Sequence, residues 1–440
     1  MTCRRTTAVT IKSRALLGAA IVLLTACGER DVILPGERFD IRDTAQAFEN
    51  TSKPVNFASA RTNADWTHRN GAADHAMHHP ALGSTLSRFL TAEIGEGDSR
   101  RARITADPVV SGDVIYTLDA RARVTATSIS GAQVWAADVT PGSDGASDAS
   151  GGGLAIEGGR VYVTTGFGEL TVLDATSGAE IWTQDLDAPG TSAPTVADGL
   201  VYVVAKNGTA YALDVNDGRI QWQTAGLAAT ASFGGGAGVA VNGDVAVIPF
   251  SSGQVIGAFP KGGLQRWSTN VAGARPGQAM AAFGDISADP VLSNGRAYVG
   301  NLGGQLVAID LSDGEQIWSA NDGAISPVWP AGNALFFVND LNQLVRVDAG
   351  TGTAVWRIDL PKFGDEKVIK RRSQVAHYGP ILAGGRLIVA SSDGNLRSFD
   401  PASGQLIGAT PIPGGAASTP AVAGGALYVV SKTGQLLGFR

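Results

Sequence analysis

A short pattern, Asp-x-x-x-Gly-x-x-x-Trp, recurs along this chain and constrains its fold more than any other feature. Four copies are complete, and they end at Trp182, Trp222, Trp318 and Trp356. Three copies are partial: those ending at Trp135 and Trp267 lack the aspartate, and the last has Gly408 in the tryptophan position. Successive copies end 38 to 52 residues apart, a period typical of repeat proteins whose units cannot bury their apolar faces alone.

Each repeat has room for four short strands, as residues 192–222 illustrate. Apolar and polar residues alternate in three runs, 195–197, 201–205 and 210–213, and a fourth run begins at residue 219. Alternation with a period of two predicts strands with one buried face. The dipeptides between the runs favour tight hairpins: Asp198-Gly199, Asn207-Gly208 and Asp217-Gly218. We therefore expect each repeat to form a four-stranded antiparallel sheet.

The starts of the repeats give their number. Two lie in glycine-rich segments, residues 151–153 and 234–236. Six have a small residue followed by proline, which is tolerated at the first position of a strand: Asp107-Pro108, Ala193-Pro194, Asp289-Pro290, Ser326-Pro327, Gly379-Pro380 and Thr419-Pro420. Eight repeats of four strands predict an all-β fold, an eight-bladed β-propeller.

The last repeat has only three strands before residue 440. Residues 86–94 alternate in the same way and are the one strand ahead of the first repeat that no blade uses. We expect this N-terminal strand to pair with residues 435–439, because the pairing completes the last blade and covers an exposed sheet edge.

The first residues resemble an export signal. Four basic residues accompany an apolar stretch at residues 15–24, which is too short to span a bilayer. It ends in Leu24-Thr25-Ala26-Cys27, which resembles a lipoprotein processing box with Cys27 as the lipidated, palmitate-bearing residue; an ordinary signal peptide is the alternative. Gly28 follows, which favours the periplasmic face of the outer membrane. We expect a signal peptide at residues 1–26, a lipidated flexible tether at 27–65 and the propeller at 66–440.

Charge and histidine usage argue against two functions. The first 26 residues carry four basic and no acidic residues, so the remainder has 30 basic and 40 acidic residues and is not expected to bind nucleic acid. Four of the five histidines, His68, His75, His78 and His79, fall within twelve residues but lack the spacing of a known zinc motif. We expect a loop over one face of the propeller rather than a metal site.

The repeated residues are expected to be structural. An aspartate before a hairpin turn accepts backbone N–H bonds, and an indole fills the wedge between neighbouring blades. Because equivalent positions of a ring do not converge on one point, no catalytic residue is predicted. Two long connections depart from the repeat, residues 272–289 and the basic segment 359–378, and such loops can carry specificity.

The proline openings, the hairpins and the Gly-x-x-x-Trp endings together resemble the repeat of PQQ-type β-propellers over about residues 100–440. Two families share this repeat: the quinoprotein dehydrogenases, and the BamB lipoproteins of the outer-membrane β-barrel assembly machinery. The resemblance to the quinoprotein dehydrogenases implies an adjacent cysteine pair and acidic ligands to calcium. Cys3 leaves with the signal peptide and Cys27 is lipidated, so no such pair remains, and we expect no cofactor.

The BamB resemblance implies a non-enzymatic scaffold. It docks on the POTRA domains of the barrel-forming subunit and assists the folding and insertion of unfolded outer-membrane proteins. Its docking loops precede blades four and five, which correspond here to residues 230–236 and 281–289. On this resemblance the partner contacts are Phe233, Phe283, Asp285 and Ser287, with Phe233 where the family has an arginine and Ser287 where it has a second acidic residue.

Two other functions stay open as alternatives. One is a PQQ-dependent dehydrogenase-like enzyme. The other is a periplasmic propeller that binds a ligand or polysaccharide, which would require exposed aromatic residues on one face. Trp66 and Trp329 are the only tryptophans outside the repeat positions.

Overall fold

Eight four-stranded antiparallel sheets form the blades of a propeller, which confirms the predicted all-β fold and the number of blades. The computed structural model describes residues 48–190, 192–227, 236–271, 273, 275, 284–364 and 373–440. Residues 50–440 form one compact unit, which contains the propeller.

The strands are numbered in chain order, and β1 (Arg88–Glu93) precedes the first complete blade. Blades one to four contain β2–β5 (Val109–Ser111, Val114–Leu118, Arg123–Ser128, Gln133–Asp138), β6–β9 (Gly152–Glu157, Arg160–Thr165, Glu169–Asp174, Glu180–Asp185), β10–β13 (Thr195–Ala197, Leu200–Val204, Thr209–Asp214, Ile220–Ala225) and β14–β17 (Ala240–Val241, Ala246–Pro249, Gln254–Ala258, Gln265–Asn270). Blades five to seven contain β18–β21 (Val291–Ser293, Arg296–Gly300, Leu306–Asp310, Gln316–Ala320), β22–β25 (Trp329–Ala331, Ala334–Val338, Gln343–Asp348, Ala354–Asp359) and β26–β29 (His377–Ala383, Arg386–Ser391, Asn395–Phe399, Leu406–Pro411). Blade eight contains β30–β32 (Ala421–Ala423, Ala426–Val430, Gln435–Phe439) together with β1.

In blades one to seven the chain runs from the innermost strand outward, so the turns fall at two opposite faces of the ring. The hairpins after the first and third strands lie at one face, here called the turn face. The hairpins after the second strands, and the connections from blade to blade, lie at the other, here called the connector face. The second and third strands are mostly buried, whereas the fourth strand forms the exposed rim, as in blade three.

The repeated tryptophans hold neighbouring blades together, as predicted. Trp182 of blade two packs on Gly218 of blade three, where an added Cβ would lie 2.6 Å from the indole ring. Its Nε1 donates a hydrogen bond of 3.1 Å to the carbonyl oxygen of Val215, directly after the repeat aspartate of blade three. The same bond recurs between the next blades, with Trp222 donating to Pro260 at 2.8 Å. Glycine is required in this position because it has both a left-handed φ and no side chain.

Trp356 is the exception among these contacts. It is fully buried, but its Nε1 has no hydrogen-bond partner. The equivalent acceptor in blade seven, the carbonyl of Pro401, instead accepts from Nη1 of Arg346 at 3.3 Å. Arg346 pairs with Trp356 across the sheet, so an arginine has taken over the hydrogen bond of the indole.

The repeated aspartates cap the hairpins that follow them. Oδ1 of Asp174 accepts hydrogen bonds from the backbone amides of Thr176 and Ser177, at 3.1 and 2.8 Å. These bonds lower the pKa of the Asp174 carboxyl, with the Ser177 hydroxyl and amide as the main causes. The repeated aspartates therefore have the structural role that the sequence predicts.

The N-terminal strand closes the ring, also as predicted. β1 pairs antiparallel with β32, and Leu90, which lies opposite Gly438, is buried in the core of blade eight. At its end, the carbonyl of Ile94 accepts a hydrogen bond of 2.8 Å from the Thr125 hydroxyl of blade one. One strand therefore completes the last blade and ties it to the first.

Residues 50–65, which the sequence assigned to a flexible tether, lie against the ring. The amide of Thr51 donates to the carbonyl of Val355 in blade six at 3.0 Å, and that of Lys53 donates to Ala402 in blade seven at 3.2 Å. Such backbone contacts need no apolar periodicity, which is why the composition of the segment did not indicate them. No helix in the described ranges is long and apolar enough to cross a membrane.

Leu90→Glu should lower the free energy of unfolding by about 3 kcal/mol, because it places a carboxylate in the core that joins blade eight to its closing strand. Thr91→Glu is the matched control, since Thr91 neighbours Leu90 but points to solvent. It should change stability by less than about 0.5 kcal/mol. Equal effects of both variants in denaturant unfolding would contradict closure by β1.

Candidate functional site

The axis of the ring is closed at the turn face by residues 61–83, here called the cap. The innermost strands direct backbone N–H groups toward the axis, and the cap accepts them at one equivalent position in five blades. The donors are Val110, Ile156, Val196, Val241 and Leu292, and the acceptors are Trp66 O, Thr67 O, His68 Nε2, Ala73 O and Asp74 O, at 2.8 to 3.0 Å. Blades seven and eight bond to the cap through Gly384 and Gly424.

Blade six departs from this scheme because Pro330 occupies the equivalent position and has no N–H to donate. A cavity of about 540 Å³ lies there, lined by Pro330, Trp329, Met77 and Phe57 among others. Trp329 stacks on Trp66 of the cap, with ring centroids 6.3 Å apart and planes 15° apart. Both tryptophans are buried, so they are not the exposed aromatic surface that a polysaccharide-binding propeller would present.

Three of the four clustered histidines bind backbone groups of different blades. His68 accepts from Val196 in blade three, and His79 accepts from Gly385 in blade seven at 2.8 Å through Nε2. Nδ1 of His75 donates to the carbonyl of Pro290 in blade five at 2.9 Å. His78 is exposed. Among the residues that the structure describes, no group of three or more His, Cys, Asp or Glu side chains is placed to hold a metal ion.

His68 is neutral in the folded protein. Burial, together with the charge of the nearby His75, lowers its pKa to about 3. The hydrogen bond from the Val196 amide to Nε2 agrees with this charge state, because a protonated ring nitrogen cannot accept.

Arg69 of the cap joins two carboxylates from opposite sides of the ring. Its Nε lies 3.1 Å from Asp107 Oδ2 in blade one, and its Nη1 lies 3.3 Å from Asp289 Oδ1 in blade five. Each carboxylate also accepts from the preceding blade: Asp107 from the amide of Thr419 at 2.6 Å, and Asp289 from that of Gly238 at 2.8 Å. Burial raises the pKa of Asp107, and the positive charge of Arg69 opposes that rise.

The repeat pattern does not predict this axial cluster, although the sequence contains one signal for it. Of the six proline openings, only those of blades one and five begin with aspartate, and these blades face each other in an eight-membered ring. The partner, Arg69, lies in a segment without repeats, so no periodicity pointed to it. Arg69 brings the carboxylates of these two opposite blades together at the axis.

Of the predicted partner contacts, Asp285 and Ser287 fall within the described residues, whereas Phe233, Phe283 and the lipidation residue Cys27 lie outside them. Both described residues are at the connector face, in the approach to β18. Ile286 between them bridges to Asn301, which draws the segment into the ring. As a result Asp285 is only 4 % exposed, and the hydroxyl of Ser287 donates to Ala324 of the next connection at 2.9 Å.

The described parts of the neighbouring connections add an apolar side chain and a charged network to this face. Leu227, which begins the connection to blade four, is 60 % exposed. Arg275 forms two hydrogen bonds with Asp340, at 2.9 and 3.1 Å, and Asp322 pairs with Arg357 at 2.6 Å. These ion pairs fix the described ends of the long connections around blades five and six. Of the basic segment 359–378, residues 365–372 lie outside the description.

A family model described as outer membrane protein assembly factor BamB matches residues 120–358 and 342–440, about three quarters of the chain. The chain belongs to the BamB family. BamB of Burkholderia pseudomallei is 26 % identical over 358 residues, which cover 81 % of this chain and 88 % of that protein.

Solved structures share the propeller beyond the BamB family. BamB from Moraxella catarrhalis superposes with a TM-score of 0.63 at 18 % identity, covering 81 % of this chain and 98 % of that one. Quinohemoprotein alcohol dehydrogenase from Comamonas testosteroni superposes with a TM-score of 0.67 at 15 % identity, covering 86 % and 81 %. Likeness at these identities shows a common fold and nothing about a common reaction.

Among the described residues, the carboxylates at the axis of this BamB-family propeller do not fit a cation. The two carboxylates that converge there already bind the Arg69 guanidinium, and a metal ion beside it would meet like charge. The strong hydrogen bonds to neighbouring blades give Asp107, Asp289 and Arg69 a structural role instead.

Lowering the pH should weaken the ring through His68. The unfolded chain protonates this histidine near the ordinary histidine pKa of 6.5, but the folded chain does so only at about 3, so stability falls as the pH drops below 6.5. At 1.36 kcal/mol per unit, the loss attributable to His68 is about 2 kcal/mol between pH 6.5 and 5. Chemical denaturation at several pH values should show that the free energy of unfolding of His68→Gln depends less on pH than that of wild type.

The matched control is His78→Gln, which removes an exposed imidazole from the same segment. If wild type and His68→Gln lose the same stability over that pH interval, the buried neutral ring is not a source of the acid sensitivity.

Proposed function

We propose that this chain is a non-enzymatic scaffold of the outer-membrane β-barrel assembly machinery. It is anchored through a lipid on Cys27 at the periplasmic face of the outer membrane. It docks on the POTRA domains of the barrel-forming subunit and assists the folding and insertion of unfolded outer-membrane proteins.

The observation that carries this proposal is the match of residues 120–440 to a family described as an outer membrane protein assembly factor. The relative from Burkholderia pseudomallei carries the same description and is matched over most of its length. The Leu24-Thr25-Ala26-Cys27 sequence supports the lipid anchor and the membrane location.

The connector face is the docking surface that the geometry favours. The turn face has its axial opening closed by the cap, whereas the connections before blades four and five begin and end at the connector face. Leu227 there is a large apolar side chain exposed beside the segment in which Phe233 lies. A few apolar and aromatic residues of this kind usually supply most of the energy of an interface.

The burial of Asp285 changes how this docking site should be tested. An arginine at position 285 would perturb the packing of the ring, so a loss of binding would not identify a contact. Exposed residues such as Leu227 separate binding from folding, because their side chains contribute little to the core.

Leu227→Glu should weaken binding of the full chain to purified POTRA domains at least tenfold, because it puts a charge at the centre of an apolar contact. Leu264→Glu is the matched control: Leu264 is 70 % exposed and lies on a hairpin of the turn face. Its affinity should stay within twofold of wild type. Binding would be measured by titration calorimetry in detergent, with thermal unfolding of each variant as the folding check.

Equal affinities of the two variants, with intact folding, would place the partner away from the connections before blades four and five. The absence of saturable binding by the wild-type chain would overturn the docking proposal itself.

A further inference from the structure

The outermost strands carry a second repeated feature, which has no part in the proposed docking at the connector face. In five blades the residue directly before the tryptophan position is apolar: Val134, Ile181, Ile317, Val355 and Ile407. Four of these side chains are exposed on the rim of the ring. Val355 of blade six is the exception, at 3 % exposed.

Val355 is buried because the chain's own N-terminal segment covers the edge of β25. The amide of Thr51 donates to the carbonyl of Val355 at 3.0 Å. Two residues along the strand, the amide of Arg357 donates to Asn50 Oδ1 at 2.8 Å, and Nδ2 of Asn50 donates to the Arg357 carbonyl at 3.0 Å. An extended segment thus satisfies the outward backbone groups of this rim strand and covers its apolar side chain.

The neighbouring rim strand, β29 of blade seven, has the same outward groups and no such cover in the described residues. Aligning Trp356 with Gly408 makes Ile407 equivalent to Val355 and Ala409 equivalent to Arg357. Leu406 and Ile407 are 57 % and 60 % exposed, and β29 is the last strand of its sheet. A Cβ added to Gly408 would meet nothing within 4 Å, so an approaching backbone finds room where other blades place an indole.

We propose that the outer edge of β29 binds an extended polypeptide strand by β-strand addition, in the way that residues 50–51 occupy the edge of β25. Main-chain hydrogen bonds to Ile407 and Ala409 would give affinity, and apolar side chains at alternate positions of the ligand would cover Leu406 and Ile407. Strands of unfolded outer-membrane proteins have that alternation. The idea that unfolded outer-membrane proteins supply this strand rests on the proposed function. The idea that the edge of β29 binds a strand rests only on the geometry of blades six and seven.

The test uses the full chain in detergent and a fluorescent peptide of about ten residues, the length of a membrane-spanning strand. Valine and tyrosine alternate with threonine and serine in this peptide. Fluorescence anisotropy should show saturable binding to the wild-type chain, and Ile407→Lys should weaken it at least tenfold. Amide exchange at Ala409 should slow when the peptide is bound.

Gln221→Lys is the matched control, because Gln221 is exposed and holds the equivalent rim position in blade three. It should leave peptide affinity within twofold of wild type. A peptide of the same composition without alternation should bind at least tenfold more weakly. Equal loss in both variants, equal binding of both peptides, or no binding by wild type would overturn the proposal.

Two further measurements test whether a second copy of the chain occupies this edge and whether the edge is independent of the docking surface. Concentration-dependent dimers that Ile407→Lys abolishes would assign the edge to a second copy of the chain, which would overturn the inference. Ile407→Lys should bind POTRA domains like wild type, and Leu227→Glu should bind the peptide like wild type. Loss of POTRA binding alone would therefore contradict the proposed docking and leave the edge site standing.

Discussion

The antiparallel pairing of β1 with β32 is the contact on which the rest of this structure depends. A propeller blade buries its faces only against its neighbours, so an open ring would expose the sides of its first and last blades. Closure also fixes the cap, because residues 61–83 lead directly into β1. The same piece of chain crosses the axis, binds the innermost strands and leaves as the strand that closes blade eight.

Two kinds of contact then distribute the stability around the ring. At the rim, indoles such as Trp182 pack on the repeat glycine of the next blade and bond to its backbone. At the axis, the cap accepts inward N–H groups, and Arg69 balances the carboxylates of two opposite blades. The axial opening at the turn face is thereby closed by contacts that stabilise the fold.

The fold could be read from the sequence because its determinants repeat. The contact between Trp182 and Gly218 recurs at six of the eight blade boundaries, and a single copy of the pattern would have meant little. The closing strand followed from counting strands. The cap could not be derived in this way, because Trp66, His68 and Ala73 meet blades one, three and four at irregular spacing. The burial of Asp285 depends on its bridge-forming neighbour Ile286, a contact between connections that local sequence does not encode.

The proposed scaffold role of this BamB-family chain requires that its partner bind at the connector face. Site-specific photo-crosslinking in intact cells tests this requirement most directly. A photoreactive amino acid would replace Leu227 in one strain and Leu264 in another, and crosslinked proteins would be identified by mass spectrometry. We expect a β-barrel protein with POTRA domains to be crosslinked from position 227 and not from position 264. The absence of that crosslink from position 227, or equal crosslinking from both faces, would contradict docking at the connector face.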